Sequence, residues 1–138
     1  MYLNLILSFI IVIAPIELTR TDSDLDMNMN VDIPSEIVTI TTYTPSIEET
    51  DSTPLITASG FKISERNPKR HRIVAVSRDL KRKYRFGTKI RIKGAGSYDG
   101  EYTIRDVMNK RHRNRVDILV GKRDKQTKIR KVKLYKIN

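Results

Sequence analysis

Apolar and polar positions alternate most strictly in TKIRIK (Thr88 to Lys93), where Ile90 and Ile92 take one face and Lys89, Arg91 and Lys93 the other. A period of two over such a stretch is the pattern of a strand with one buried side. Five more stretches are rich in β-branched residues or alternate: IVTITTYT (Ile37 to Thr44), RIVAVS (Arg72 to Ser77), EYTIRD (Glu101 to Asp106), RVDILV (Arg115 to Val120) and KVKLYKI (Lys131 to Ile137). Each is predicted to be a strand. GSYDGEY (Gly96 to Tyr102) supplies Asp-Gly turn chemistry between two of them. Only RDLKRKY (Arg78 to Tyr84) and KRDKQTKI (Lys122 to Ile129) read as helical turns, and both are short. Six short strands with one or two minor helices predict a mainly β fold, a small closed or nearly closed barrel over residues 37–138.

The chain ahead of that barrel has a different pattern. Met1 to about Leu18 is an apolar run broken by Asn4, Ser8 and Pro15. It falls short of the ~20 apolar residues of a full span, so residues 1–18 are expected to be a signal peptide or a short membrane anchor. Residues 19–36 are polar and acidic with no hydrophobic period, and are expected to be a disordered linker. At 138 residues there is room for one domain and this extra chain.

Charge sharpens the division. Up to Thr50 there is one basic residue, Arg20, against eight acidic ones; from Asp51 onward there are 26 basic and eight acidic, within a formal net charge of +11. A field of that sign attracts polyanions: nucleic acid, anionic lipid or an anionic cell wall. The absence of cysteine excludes disulfides, thiolate zinc sites and a cysteine nucleophile.

Little in the sequence looks like a nucleophile with its base. His71 and His112, the two histidines, both lie in KRHR runs and read as solvated; no metal or cofactor is expected. The carboxylates are more informative. Asp117 sits inside RVDILV, sharing a face with Leu119 and opposite Val116, Ile118 and Val120. By the same alternation Asp106 shares the face of Tyr102 and Ile104. Aspartate is depleted in strands, so each asks for a reason; pairing with a local arginine (Arg105, Arg111, Arg113, Arg115) is one, catalysis another. Asn109 and Asn114, between them, suit turns that tolerate left-handed backbone. Tyr43 and Thr44 close the first strand, and TASG (Thr57 to Gly60, with Ser59) makes a tight small-residue loop. Those groups can bind sugar hydroxyls or simply close turns.

TTYTPS (Thr41 to Ser46), TASG, IVAVSRDL (Ile73 to Leu80), FGTKIRIKG (Phe86 to Gly94), YDGEYTIRDVMNKR (Tyr98 to Arg111) and NRVDILVG (Asn114 to Gly121) follow one another in order. Together they resemble the 3D domain family, named for three aspartates, over roughly residues 38–138. The resemblance implies a double-psi β-barrel like the catalytic barrel of membrane-bound lytic transglycosylase A. It also implies cleavage of the β-1,4 bond between N-acetylmuramic acid and N-acetylglucosamine. The family's later two aspartates fall on Asp106 and Asp117, eleven residues apart, with Asp117 as the catalytic acid and Asp106 its partner. The first falls on Ser77, with Asp79 two residues on. Tyr43, Thr44, Thr57, Ser59, Gly60, Ser77, Asn109 and Asn114 are the expected substrate-binding groups.

The chemistry this implies needs one acid/base, because the sugar's own C6 hydroxyl is the nucleophile. A second carboxylate nearby raises the pKa of the first through like-charge repulsion. The expected partners are peptidoglycan strands and anionic wall polymers, met by an exported monomer in the cell envelope that touches membrane only through its leader. A non-catalytic wall-binding barrel is the alternative reading. A basic nucleic-acid-binding barrel is a third, without sequence-specific recognition of nucleic acid.

Overall fold

The computed structural model describes residues 34–46 and 53–137; the expected leader and nearly all of the expected linker lie outside these. Six strands form where the β-branched and alternating stretches fall: β1 (Ser35–Tyr43), β2 (Ile73–Val76), β3 (Lys89–Lys93), β4 (Gly100–Val107), β5 (Arg115–Leu119) and β6 (Lys128–Ile137). Their order, β1-β5-β2-β4-β3-β6, closes back on β1 as a barrel. β1 runs parallel to β5 and β2 parallel to β4; the other four pairings are antiparallel. Closure removes every free edge, which a short-stranded sheet otherwise exposes.

Alternation decides what fills the barrel. Val38, Ile40, Val74, Val76, Ile90 and Ile92 point inward and are buried, as are Ile104, Val116, Ile118, Val132 and Leu134. The outward partners of Ile90 and Ile92 are the exposed Lys89, Arg91 and Lys93. β2 is the exception, because all four of its residues are buried. Its other face, Ile73 and Ala75, joins Tyr43, Ile63, Met108 and Leu119 in a second apolar cluster outside the barrel. Leu55 and Phe61 pack onto that cluster from the loop between β1 and β2. A strand covered on both sides reads as a continuous apolar run, and IVAV is one.

Strand ends differ from expectation by up to three residues, and one of the two predicted helical turns is absent. β1 begins at Ser35, not Ile37: the β1–β6 ladder extends to Ser35 against Tyr135, and Glu36 accepts hydrogen bonds from Tyr84 Oη (2.7 Å) and Lys83 Nζ (3.0 Å). Arg78–Lys83 forms the short helix α1 as expected, but Lys122–Ile129 is not helical. Asp124 closes a turn there by accepting the Gly121 N–H (2.8 Å). Thr127 N–H then donates to Thr42 Oγ1 (2.9 Å), and from Lys128 the chain ladders onto β1. Strand pairing outweighs a weak local helical preference.

Candidate functional site

On the outer side of β1, β5, β2 and β4, four residues fall in one cross-strand row. Thr41 of β1 pairs with Asp117 of β5, Asp117 with Ala75 of β2, and Ala75 with Asp106 of β4. Asp117 arrives there by plain alternation, opposite the buried Val116 and Ile118. Asp106 does not. The β2–β4 register shifts between Val74 and Ala75: Val74 pairs with Ile104, yet Ala75 pairs with Asp106. Arg105 is the extra residue, and a bulge of this kind reverses the parity of everything beyond it. The expectation that Asp106 shares a face with Tyr102 and Ile104 is therefore corrected: those two lie inside the barrel, while Asp106 lines the cleft outside.

The row sits in an open cleft of about 640 Å³ whose lining includes Tyr43, Ala75, Asp106 and Asp117. Two strand spacings separate the aspartates' backbones, about 9–10 Å, and the alanine between them leaves the space above it open. Asp117 Oδ1 accepts a hydrogen bond from Thr41 Oγ1 (2.8 Å). Asp106 Oδ1 accepts two, from the backbone N–H groups of Ala58 and Val107 (2.9 Å each). Tyr43 is 7% exposed, and its hydroxyl has no hydrogen-bond partner among the described residues. Burial drives the Tyr43 pKa far above the phenol range, and the charges of Asp106 and then Asp117 push it the same way. The phenol therefore stays protonated, as a donor in a dry position.

The TASG loop reaches the site through its backbone. Thr57 is buried, its Oγ1 accepting the Phe61 N–H (3.1 Å) and lying 3.0 Å from Ser59 Oγ. Gly60, at φ 80°, allows the chain to reverse there. Ser59 N–H donates to Arg105 O (3.1 Å), so the loop is docked on the bulged residue itself. Ala58, between them, is the loop residue that lines the cleft.

Other expected site residues lie elsewhere. Ser77 is fully buried, and its Oγ accepts the Arg115 N–H (3.0 Å). Asp79 belongs to α1 and accepts the Asn114 N–H (2.9 Å). Burial pushes Asp79 up, but hydrogen bonds from the Ser77 hydroxyl and from the N–H groups of Asn114, Asp79 and Leu80 outweigh it and hold the carboxyl below its usual range. Asn114 takes left-handed backbone (φ 48°) and donates Nδ2 to Ile37 O (2.6 Å). These three fasten α1 and the start of β5 to the barrel, and none is part of the cleft lining, nor is Thr44. Asn109 does line it, with Oδ1 accepting the Arg111 N–H (3.2 Å).

Arg78, Arg111 and His112 also line the cleft; the sequence pattern gave Arg78 no role, Arg111 only that of a possible partner for the aspartates, and read His112 as solvated. His112 is partly buried, with Arg111 Nε 3.3 Å from Nε2 and Arg115 Nη1 3.0 Å from Nδ1. Burial, then Arg115 and Arg111, hold its pKa below the usual imidazole value. His71 is not simply solvated either: its Nε2 accepts the Ser64 N–H (2.9 Å) and its ring meets Phe61 edge-on. Thr41 is a further addition, identifiable only once β1 is known to run parallel to β5. Comparison with protein-family models, curated proteins and solved structures finds no match, so the cleft's role rests on its own geometry.

Proposed function

We propose that the cleft cleaves peptidoglycan glycan strands as a lytic transglycosylase does, with Asp117 as acid/base and Asp106 as a fixed negative charge beside it. The observation that carries this reading is the row itself, two aspartates flanking Ala75 in an open cleft above a buried, protonated Tyr43. The partners of the two carboxylates favour this division of labour. Asp106 Oδ1 accepts from two backbone N–H groups, which can only donate. Thr41, a partner of Asp117, is a hydroxyl; it can donate to a carboxylate or accept from a carboxylic acid, so it suits a group that changes protonation state.

In this mechanism protonated Asp117 donates to the glycosidic oxygen as the bond to C1 breaks. The carboxylate so formed takes the proton of the C6 hydroxyl while that oxygen closes on C1, giving a 1,6-anhydro end and restoring the acid. No water is consumed. General acid–base assistance of this kind is worth about 10²–10⁴-fold.

A non-catalytic wall-binding barrel is the second reading. What favours it is Ser77, which stands where the resemblance implies a first carboxylate and whose hydroxyl is committed to the Arg115 backbone. Both readings place the work in the cell envelope. The test is incubation of the folded chain with purified sacculi, with mass spectrometry of the soluble products. Anhydro-muropeptides support the enzyme; sedimentation with sacculi and no such products supports the binding module.

A further inference from the structure

β2 and β4 run parallel and end at the same rim, where β5 begins. Just past those ends stand Arg78, at the start of α1, and Arg111 and His112, in the β4–β5 connection. All three line the cleft, one rung of the ladder or more beyond the aspartate row. The cleft is thus dipolar, with acid along its middle and base along one rim.

That rim is short of anions. Among the described residues no carboxylate lies within ion-pair distance of Arg78, Arg111 or Arg115. Arg115 Nε is buried with no hydrogen-bond partner there. Arg111 and Arg115 instead crowd the two nitrogens of one imidazole. A neutral imidazole has a single acceptor nitrogen, so it cannot satisfy both guanidinium groups. A ligand oxygen carrying negative charge would take up the excess donors, and arginine pairs with carboxylate through two parallel hydrogen bonds.

We propose that Arg78, Arg111 and His112 form a carboxylate-binding subsite that selects glycan strands bearing an acidic substituent beside the bond held over Asp117. It rests on the reading of the cleft as a glycan site. Asp106 supplies the complementary half of the selection: a ligand carboxylate lying over its fixed negative charge is repelled, so only one direction of an asymmetrically charged strand fits.

The test is equilibrium binding, using the full chain with Asp117→Asn so that strands are held and not cut. The probes are soluble muropeptide-bearing glycan fragments with free carboxylates, the same fragments amidated, and a neutral N-acetylglucosamine oligomer. The acidic fragments are expected to bind at least about tenfold more tightly than the amidated ones, the scale of one charge-assisted contact. Arg78→Gln with Arg111→Gln should abolish that preference. Lys89→Gln with Lys93→Gln removes equal charge from exposed positions on β3 and should leave the preference intact. Equal binding of acidic and amidated fragments overturns the subsite, as does equal loss of preference in the β3 variant. A wild-type chain that keeps the preference but yields no anhydro ends overturns the catalytic reading and not the subsite.

Discussion

The two parallel pairs of the barrel each deliver one aspartate to the same cleft, by different routes. β1 and β5 hold one unbroken register from Thr39 against Arg115 to Tyr43 against Leu119, and Asp117 faces outward because every second residue does. β2 and β4 slip by one residue at Arg105, and only that slip brings Asp106 outward. The first pair is ordinary sheet geometry carrying a polar residue; the second is a local irregularity on which the site depends. Bulges next to functional sites commonly re-aim a side chain in this way. Here the loop from Thr57 to Gly60 docks on the irregularity, through Ser59 to Arg105 O and Ala58 to Asp106, so loop and bulge hold each other.

Removing the extra residue of the bulge is the largest change. Deletion of Arg105 abolishes the slip yet leaves Asp106 opposite Ala75, because Ile104 against Val74 then runs straight on to Asp106. What is lost is the residue whose carbonyl anchors the Ser59 N–H. The variant should therefore keep an Asp106 that contributes to cleavage while amide exchange speeds up across residues 57–60. Loss of the Asp106 contribution would mean that the slip itself, beyond the parity it sets, aims the carboxylate.

The aspartates themselves come next. Asp117→Asn keeps the shape and the Thr41 contact but removes the transferable proton, so formation of anhydro-muropeptides should drop about 10²–10⁴-fold while sacculus binding survives. Asp106→Asn should cost less rate, because its role is electrostatic and its place is held by backbone N–H groups. The two pairs are then unequal in chemistry as well as in geometry. Equal losses would erase that distinction, and full activity of Asp117→Asn would remove Asp117 from the mechanism.

The same contrast explains what was legible in the sequence. Six strands, the barrel and the outward face of Asp117 follow from alternation and β-branching, which record burial directly. The inward face of Ile90 and Ile92 was readable for the same reason. A bulge leaves no such mark: EYTIRDV carries the same pattern with or without the slip, and the slip is fixed by β2 and by the docked loop. Lys122–Ile129 misled because local propensity cannot anticipate Thr42 and β1 arriving from far along the chain. Ser77 and Asn114 were expected in the site from the family resemblance, yet their polar groups are taken up by Arg115, Asp79 and Ile37. Arg111 and His112 sit in a basic run resembling any solvated surface, and only the convergence of strand ends brings them to the cleft.

The basic rim offers a smaller, pH-dependent test of the β2–β4 side. His112 titrates lower in the folded chain than the ~6.5 of a free imidazole. The unfolded chain therefore binds more protons between those two values, and stability must rise with pH across that window. Wild-type protein should lose stability as pH falls from 7 through about 6. His112→Gln should flatten that part of the profile, measured as denaturation midpoint against pH. An identical slope in the variant would show that burial, Arg115 and Arg111 do not together lower the ionisation of this ring.

Tyr43 gives the smallest effect on stability and separates it from function on the β1–β5 side. Its ring packs in the outer cluster with Ile73, Ala75 and Leu119, and its hydroxyl is buried without a hydrogen-bond partner among the described residues. An unmet buried donor costs about 1–3 kcal/mol, so Tyr43→Phe should leave stability unchanged or raise it slightly, the ring volume being preserved. A purely structural tyrosine would lose nothing else. If the phenol is kept for the two carboxylates that raise its pKa, or for a sugar above them, the variant should fold as well as wild type and cleave more slowly. Thermal melts and product formation on the same preparation decide it. Lower stability with unaltered cleavage per folded molecule would assign the hydroxyl to the fold. Equal or higher stability with slower cleavage would assign it to the site, a cost in folding retained for chemistry.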